Sequence, residues 1–327
     1  MNKQANILFT ATFSTPFIRE DITFLQKHFS VTPVISSGPS TFFRWIPALF
    51  RADVTFSWFA SVYSSILVMK AKFLGARSVI VLGGVDVANI PELNYGIWNS
   101  WWKAKIVRYG IVHADVILAV DESLKQDAMR LAAYDGKNIR VIPTGYDPER
   151  WKPAGTKEPV VLTVAHCDTV TRAKVKGIDF LADVARSMPE QQFRLIGIRN
   201  EIAALFSLPS NITARESVPQ EELLNYYRSA AVYFQPSRRE GLPNTLCEAM
   251  LCGCSPVGTN AGGIANAIGS TGSVIPFGET EQARTAIIHA LSRTDGNTAR
   301  ERIMTLFTKQ QRETQLLEVI HSLTHAK

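Results

Sequence analysis

Short β-branched runs alternate with helical patterns along this chain, and the alternation occurs in two series. In the first, the runs fall at residues 6–10, 31–35, 54–56, 78–82, 116–120 and 139–142, with helical patterns between them, such as 63–73 and 122–133. In the second, they fall at 160–164, 193–196, 232–235, 255–257 and 273–275. Consecutive strands separated by helical crossovers must run parallel, so each series predicts a doubly wound α/β domain. The series meet at Pro143-Thr144-Gly145-Tyr146-Asp147-Pro148, followed by Pro153, Gly155 and Pro159, where the domain boundary is placed. The tail, 298–325, reads as polar helix with a partial stripe of Leu306, Leu316, Leu317, Ile320 and Leu323.

A chain of 327 residues with 46 % hydrophobic side chains can bury two cores. Its net charge is +6. Of 35 basic and 29 acidic residues, 16 and 12 lie in 1–150, leaving 19 and 17 beyond. Neither half carries the dense basic stripe of a nucleic-acid-binding protein, whereas a nucleotide diphosphate or an anionic membrane surface is compatible. The cysteines Cys167, Cys247, Cys252 and Cys254 form no disulfide framework and no zinc spacing; they read as buried apolar residues of a reducing, cytoplasmic compartment. Lys3, the apolar run at 7–9 and then Glu20 and Asp21 read as a first strand, not a signal peptide. The uncharged, largely apolar stretch 54–69 is too short to span a bilayer and reads as a strand followed by a buried helix.

The stretch Ser237-Arg238-Arg239-Glu240-Gly241-Leu242-Pro243-Asn244-Thr245-Leu246-Cys247-Glu248-Ala249-Met250 follows the strand at 232–235. Pro243 suits a first helical turn. Glu240 then lies in the strand-to-helix loop and Glu248 inside the helix. Backbone N–H groups of Gly241, Leu242 and Asn244 would face the carboxyl end of the sheet, where open α/β folds bind ligands. Taken singly, each Glu reads as a solvated charge. As a pair at such a place, two carboxylates suit a nucleotide sugar, since one carboxylate can accept from both hydroxyls of a ribose.

The spacing from Glu240 to Glu248, within "AAVYFQPSRREGLPNTLCEAMLCGCSPVGTNAGGI" at 230–264, resembles the Glu-x7-Glu motif of glycosyltransferase family four. The resemblance implies a GT-B fold: two Rossmann-like doubly wound domains with a C-terminal helix crossing back to the first. The boundaries that follow are 1–145 for an acceptor-side domain, 146–308 for the nucleotide-sugar donor domain and 309–327 for the returning helix. It implies that Glu240 contacts the transferred sugar and Glu248 the ribose. Gly241, Leu242, Asn244, Thr245, Gly262 and Gly263 would line the donor. Ala265-Asn266 stands where the family often has Pro-Glu. Lys176-Gly177 resembles the family's Lys-Gly, whose lysine joins an upstream arginine on the donor diphosphate; Arg172 is the candidate partner and Lys174 its competitor. Residues 141–147 resemble the interdomain hinge. Asp86, after Gly83-Gly84-Val85, stands where the family places a polar residue near sugar or acceptor, but it reads equally as a turn residue. Ala11-Thr12-Phe13-Ser14-Thr15-Pro16 replaces the glycine-rich loop often found after the first strand.

The activity so implied is retaining, hexosyltransferase-like transfer from a nucleotide-diphosphate sugar to a glycan or lipid-linked acceptor, in cell-surface polysaccharide or glycolipid synthesis. No cofactor, protein nucleophile or metal is required, because Arg172 and Lys176 would stabilise the leaving phosphate. A nucleotide-sugar epimerase of the same fold and a noncatalytic nucleotide-sugar-binding subunit remain alternatives. Finally, Ile97 to Tyr109 combines Trp98, Trp101, Trp102 and Tyr109 with Lys103, Lys105 and Arg108 and no acid. With Phe42-Phe43-Arg44-Trp45, Phe50 and Arg51, it suggests contact with an anionic membrane at its inner face, a buried helix, or an aromatic acceptor groove. Helical spacing puts Trp98, Trp102, Lys105 and Tyr109 on one face.

Overall fold

The structure, a computed structural model, describes residues 5–36, 41–292 and 296–325, and of residues 41–44 the backbone alone. Lys3 and the side chains of Phe42, Phe43 and Arg44 lie outside the described residues. The chain divides into two compact units, Met1–Thr144 with Gln310–Lys327, and Gly145–Lys309.

The first unit is built on strands β1 (Asn6–Ala11), β2 (Ser30–Ile35), β3 (Val54–Trp58), β4 (Arg77–Leu82), β5 (Val116–Ala119) and β6 (Ile139–Val141), in the order β2-β1-β3-β4-β5-β6. All pairings are parallel. β3 and β5 are buried along their whole length; β5 accordingly runs apolar, whereas β3 alternates and buries Thr55 and Ser57 as well. The second unit holds β7 (Glu158–Cys167), β8 (Gln192–Ile198), β9 (Ile212–Arg215), β10 (Ala230–Gln235), β11 (Ser255–Thr259) and β12 (Ser273–Ile275). Their order is β12-β11-β10-β7-β8-β9, again parallel throughout. Sequence patterning misses only β9. It is a short edge strand in which Ile212 alone is buried, so it carries no apolar run.

In the second sheet the chain winds outwards from β7 through β8 to β9. It then returns to β10 on the other side of β7 and winds out through β11 to β12. Strand order reverses between β7 and β10, and the loops after these two strands diverge around that point, where open α/β sheets leave a crevice.

The tail forms two helices, Asn297–Leu306 and Lys309–His325, broken at Phe307 and Thr308. The second packs into the first unit through Leu316, Val319, Ile320 and Leu323. Arg312, 6 % exposed, fixes it there. Its guanidinium donates to both carboxylate oxygens of Asp21 at 2.8 and 2.6 Å and to the carbonyls of Ile142 and Pro143. The same Asp21 accepts from the Trp58 indole at 2.9 Å, and the guanidinium lies over the Trp58 ring.

The Trp-rich segment departs from one continuous helix. A 3-10 turn, Ile97–Asn99, precedes the helix Trp101–His113, and the indole of Trp98 donates to the carbonyl of Asp86 at 2.9 Å. Trp98 therefore does not share the helical face of Trp102, Lys105 and Tyr109. Val107, Gly110 and Ile111 bury the inner side, while Trp101 is 73 % and Trp102 45 % exposed.

Removing one partner of a buried ion pair strands the other charge, at about 3–5 kcal/mol. Arg312→Ala should lower stability on that scale in chemical denaturation. Replacing both partners, as Arg312→Met with Asp21→Leu, should recover most of the loss. A single-variant cost below about 1 kcal/mol would show that the pair does not hold the helix.

Candidate functional site

β10 ends at Gln235, and the chain crosses Pro236 to Pro243 before the helix Asn244–Leu251 begins. Glu240 lies in this loop, 9 % exposed. Its Oε1 accepts three hydrogen bonds: from Lys176 Nζ at 2.6 Å, Ser237 Oγ at 2.6 Å and Gln235 Nε2 at 3.0 Å. Gln235 Nε2 also donates to Ser237 Oγ at 2.8 Å, so both its amide hydrogens are used. Thr259 Oγ1, at the end of β11, donates to the Ser237 carbonyl at 2.5 Å and fixes that backbone. Gln235 Oε1 is buried without a partner. Turning the amide over would aim a carbonyl at the carboxylate, so the network itself assigns the orientation. An orphaned buried acceptor costs about 1–3 kcal/mol, a loss tolerated here where the carboxylate is held.

Lys176 comes from the loop after β7, across the reversal point. It reaches Glu240 because Gly177 allows close approach: at φ +70° a Cβ there would lie 2.0 Å from the Pro236 carbonyl. Gly262, at φ +59°, plays the same part after β11. Its Cβ would meet the Glu240 carbonyl at 2.0 Å, and the N–H of Gly263 donates to the Gly241 carbonyl at 2.8 Å. Both glycines thus set the position of Glu240.

Glu248 lies in the second turn of the helix and is buried. Its Oε2 accepts from the Tyr227 hydroxyl at 3.0 Å. Burial, then the Glu248 charge, push Tyr227 well above the usual tyrosine range, so it stays a proton donor. Arg172 lies on the short helix Val170–Val175 and pairs with Asp168 at 3.3 Å, half exposed. Burial raises the Asp168 carboxyl, but the charge and hydrogen bond of Arg172 outweigh it and hold it below its ordinary value. At the end of β7, burial pushes the Cys167 thiol up to about 12, against the nearby charges of Lys176 and Arg172. Lys174 is exposed and lines a groove with Asp179, Asp183 and Arg186 instead.

Residues 158–293 match the family described as Glycosyl transferases group 1. The chain is 26 % identical to the alpha-maltose-1-phosphate synthase of Mycolicibacterium smegmatis over 271 residues, 71 % of this chain and 69 % of that protein. It is 24 % identical over 199 residues to a glycosyltransferase assigned to teichuronic acid biosynthesis in Bacillus subtilis, covering 58 % of this chain and 49 % of that one. The fold resembles HepE of Anabaena, solved in complex with UDP-glucose. The TM-score is 0.78 at 14 % identity, covering 97 % of this chain and all of that one. The chain is a glycosyltransferase of the GT-B fold.

In this glycosyltransferase the residues singled out in the sequence fall into three groups. Glu240, Lys176, Gly241, Gly262 and Gly263 meet in one network. Glu248, Asn244 and Thr245 lie on the adjoining helix. Asn244 opens it, one residue after Pro243, and its Oδ1 accepts from the Tyr146 hydroxyl at 2.7 Å. Leu242 is buried beneath the loop. Asp86, 1 % exposed, belongs to the first unit, at the end of β4. Its oxygens accept from the backbone N–H groups of Ala60, Gly83 and Gly84 at 2.7–3.2 Å, which ties the turn after β4 to the end of β3. Burial nevertheless raises its carboxyl above the ordinary range. These hydrogen bonds are those a turn residue makes. Sequence reasoning missed Gln235, Ser237 and Tyr227. Gln235 and Ser237 flank Pro236 just upstream of Glu240, and a polar pair at a buried strand end was the available signal. Tyr227 carried none. Among the described residues, no group of three or more His, Cys, Asp or Glu is placed to hold a metal ion.

Gly155, at φ +71° with nothing within 4 Å of its absent Cβ, gives a control for Gly262. Gly155→Ala should cost the left-handed conformational penalty alone, about 1–2 kcal/mol. Gly262→Ala should cost more and should also depress sugar transfer, since Glu240 must shift. Equal costs in urea denaturation with transfer intact would remove Gly262 from the support of Glu240.

Proposed function

We propose that the chain moves a sugar from a nucleotide-diphosphate sugar to a glycan or lipid-linked acceptor with retention of anomeric configuration, in cell-surface polysaccharide or glycolipid synthesis. The observation that carries this reading is the Lys176–Glu240 pair at the reversal point between β7 and β10. A cation and an acceptor side by side suit a sugar attached to a diphosphate. UDP-glucose in the HepE structure and the teichuronic acid assignment of the Bacillus relative support the donor and acceptor classes.

In this reading Glu240 accepts from hydroxyls of the transferred sugar and Glu248 from the ribose, its carboxylate oriented by Tyr227. Backbone groups of Gly241, Leu242, Asn244 and Thr245, with Gly262 and Gly263, line the donor. Arg172 and Lys176 stabilise the charge that develops on the leaving diphosphate. Arg172 can exchange Asp168 for phosphate cheaply, since a half-exposed pair is worth about 0–1 kcal/mol. The acceptor hydroxyl attacks from the face the diphosphate leaves, and a leaving phosphate oxygen takes its proton. No protein nucleophile enters, and the two cations do the work a divalent metal would otherwise do.

A second partner is the surface of an anionic membrane. Trp101 and Trp102 are exposed on a helix without an acid. Lys105 lies over the Trp101 ring at 5.1 Å and Lys103 over the Trp102 ring at 5.5 Å. Rings that carry their own cations suit the headgroup region. Arg108 is anchored by a hydrogen bond from its Nε to the Ala132 carbonyl. Among the described residues no helix is long and apolar enough to cross a bilayer, so this contact would be with one surface.

The site is tested with a panel of UDP-, GDP- and ADP-sugars. Glu248→Ala should weaken donor binding by ~1–3 kcal/mol, the scale of lost charge-assisted hydrogen bonds. Glu240→Gln should lower turnover more than nucleotide affinity. Arg172→Ala or Lys176→Ala should cost about 10²-fold in turnover, and activity should survive EDTA. Unchanged binding and transfer in both Glu variants would refute the site, and a strict need for Mg²⁺ or Mn²⁺ would refute the metal-independent scheme.

The membrane contact is tested by sedimentation with anionic and neutral vesicles at low and high salt. Binding should be confined to anionic vesicles at low salt, as ~1 kcal/mol per cation dictates, and should be lost in Trp101→Ser/Trp102→Ser and in Lys103→Glu/Lys105→Glu. Equal failure of the folded wild-type chain to pellet in all four conditions rejects the contact.

A further inference from the structure

The three hydrogen bonds to Glu240 all fall on one oxygen, Oε1. Oε2 has no partner among the described residues. The donors are built in rather than adventitious: Gln235 is 1 % and Ser237 0 % exposed, and both lie on backbone fixed by β10 and by the Thr259 bond. A carboxylate held at one oxygen by three donors cannot rotate about its last torsion without breaking all of them. Its second oxygen is thereby held in one direction, with its acceptor capacity unspent.

From this asymmetry we infer that Gln235 and Ser237 are positioning residues that fix Glu240 through Oε1, and that Oε2 is the oxygen that receives the sugar hydroxyls of the donor. The inference rests on the reading that Glu240 faces the transferred sugar. The clamp also explains why the Gln235 amide is held with its own oxygen unpartnered. Both N–H groups of that amide are needed, one for Ser237 and one for Glu240, and no orientation serves both while satisfying the carbonyl. Lys176 has a different status. Its ammonium supplies charge to the leaving group, so its removal perturbs phosphate as well as sugar. Gln235 and Ser237 reach the substrate only through Glu240.

That distinction sets the experiment. Dissociation constants are measured by calorimetry for a nucleoside diphosphate and for its sugar conjugate. UDP and UDP-glucose come first; if UDP does not bind, GDP with GDP-mannose and ADP with ADP-glucose follow. The affinity ratio of conjugate to bare nucleotide reports the sugar contacts alone. Ser237→Ala and Gln235→Met should leave the bare nucleotide within twofold of wild type and reduce the ratio at least fivefold. Glu240→Ala should reduce the ratio as much, and adding either clamp variant to it should have no further effect. Glu248→Ala should weaken nucleotide and conjugate equally. Monodeoxy donors supply the second readout: the analogue lacking the hydroxyl that Oε2 receives should bind wild type and the clamp variants alike. Melting curves confirm folding, and should one clamp variant fail to fold, the other carries the test. If Glu240→Ala lowers the ratio while Ser237→Ala and Gln235→Met leave it unchanged, the clamp is overturned and the site stands. If Glu240→Ala leaves the ratio unchanged, the assignment of Glu240 to the sugar falls first, and the inference with it.

Discussion

The Lys176–Glu240 pair is a contact between residues 64 apart in sequence, and it exists because of where the second sheet reverses its strand order. A carboxylate at the end of a buried strand needs compensation, and water cannot supply it. The loop after β10 brings Ser237 and Gln235 to the task locally. The remaining donor must come from the neighbouring strand's loop, and β7 is that neighbour. Gly177 and Gly262 follow from the same demand, since only residues without a Cβ let the flanking loops approach the Pro236 and Glu240 carbonyls. The site is thus a consequence of topology: each loop around Glu240 is placed by the strand that precedes it.

This dependence explains which parts were legible in the sequence. Parallel strands buried along their length write apolar runs, so both sheets could be read apart from β9, whose edge position leaves Ile212 as its one buried residue. The loop carrying Glu240 and the helix carrying Glu248 were legible because proline, glycine and a polar-to-apolar switch mark a strand–loop–helix junction locally. The pairing of Lys176 with Glu240 was not, since no local pattern encodes register between β7 and β10. Asp86 illustrates the converse. A polar residue after a strand looked equally suited to a substrate or a turn, and the three backbone N–H groups that converge on it are brought together only by the fold. The 3-10 turn before Trp101 defeated helical spacing in the same way, by shifting Trp98 out of phase.

The first unit shows another solution to burying charge. Arg312 and Asp21 satisfy each other bidentately, and two carbonyls and an indole absorb most of the remaining capacity. A closed network of this kind has nothing left over for a ligand, and its value lies in specifying where the last helix docks rather than in net stability. The apolar stripe of Leu316, Val319, Ile320 and Leu323 could slide by a turn on a smooth surface. The guanidinium fork cannot, because its geometry matches one carboxylate in one direction.

Set beside that closed pair, the two glutamates of the second unit differ in a functionally informative way. Arg312 and Asp21 spend their hydrogen-bonding capacity inside the protein, as Asp86 does with its backbone donors. Glu240 concentrates every protein donor on Oε1, and Glu248 takes the Tyr227 hydroxyl on Oε2. For Glu240, a folding interaction gains nothing from placing three donors on one oxygen and none on the other. The arrangement suits a carboxylate whose second oxygen is kept for a ligand. The orphaned Gln235 carbonyl points the same way, as a local loss accepted so that one carboxylate can be aimed. On the reading proposed for Glu240, the oxygen so aimed is the one the donor sugar meets.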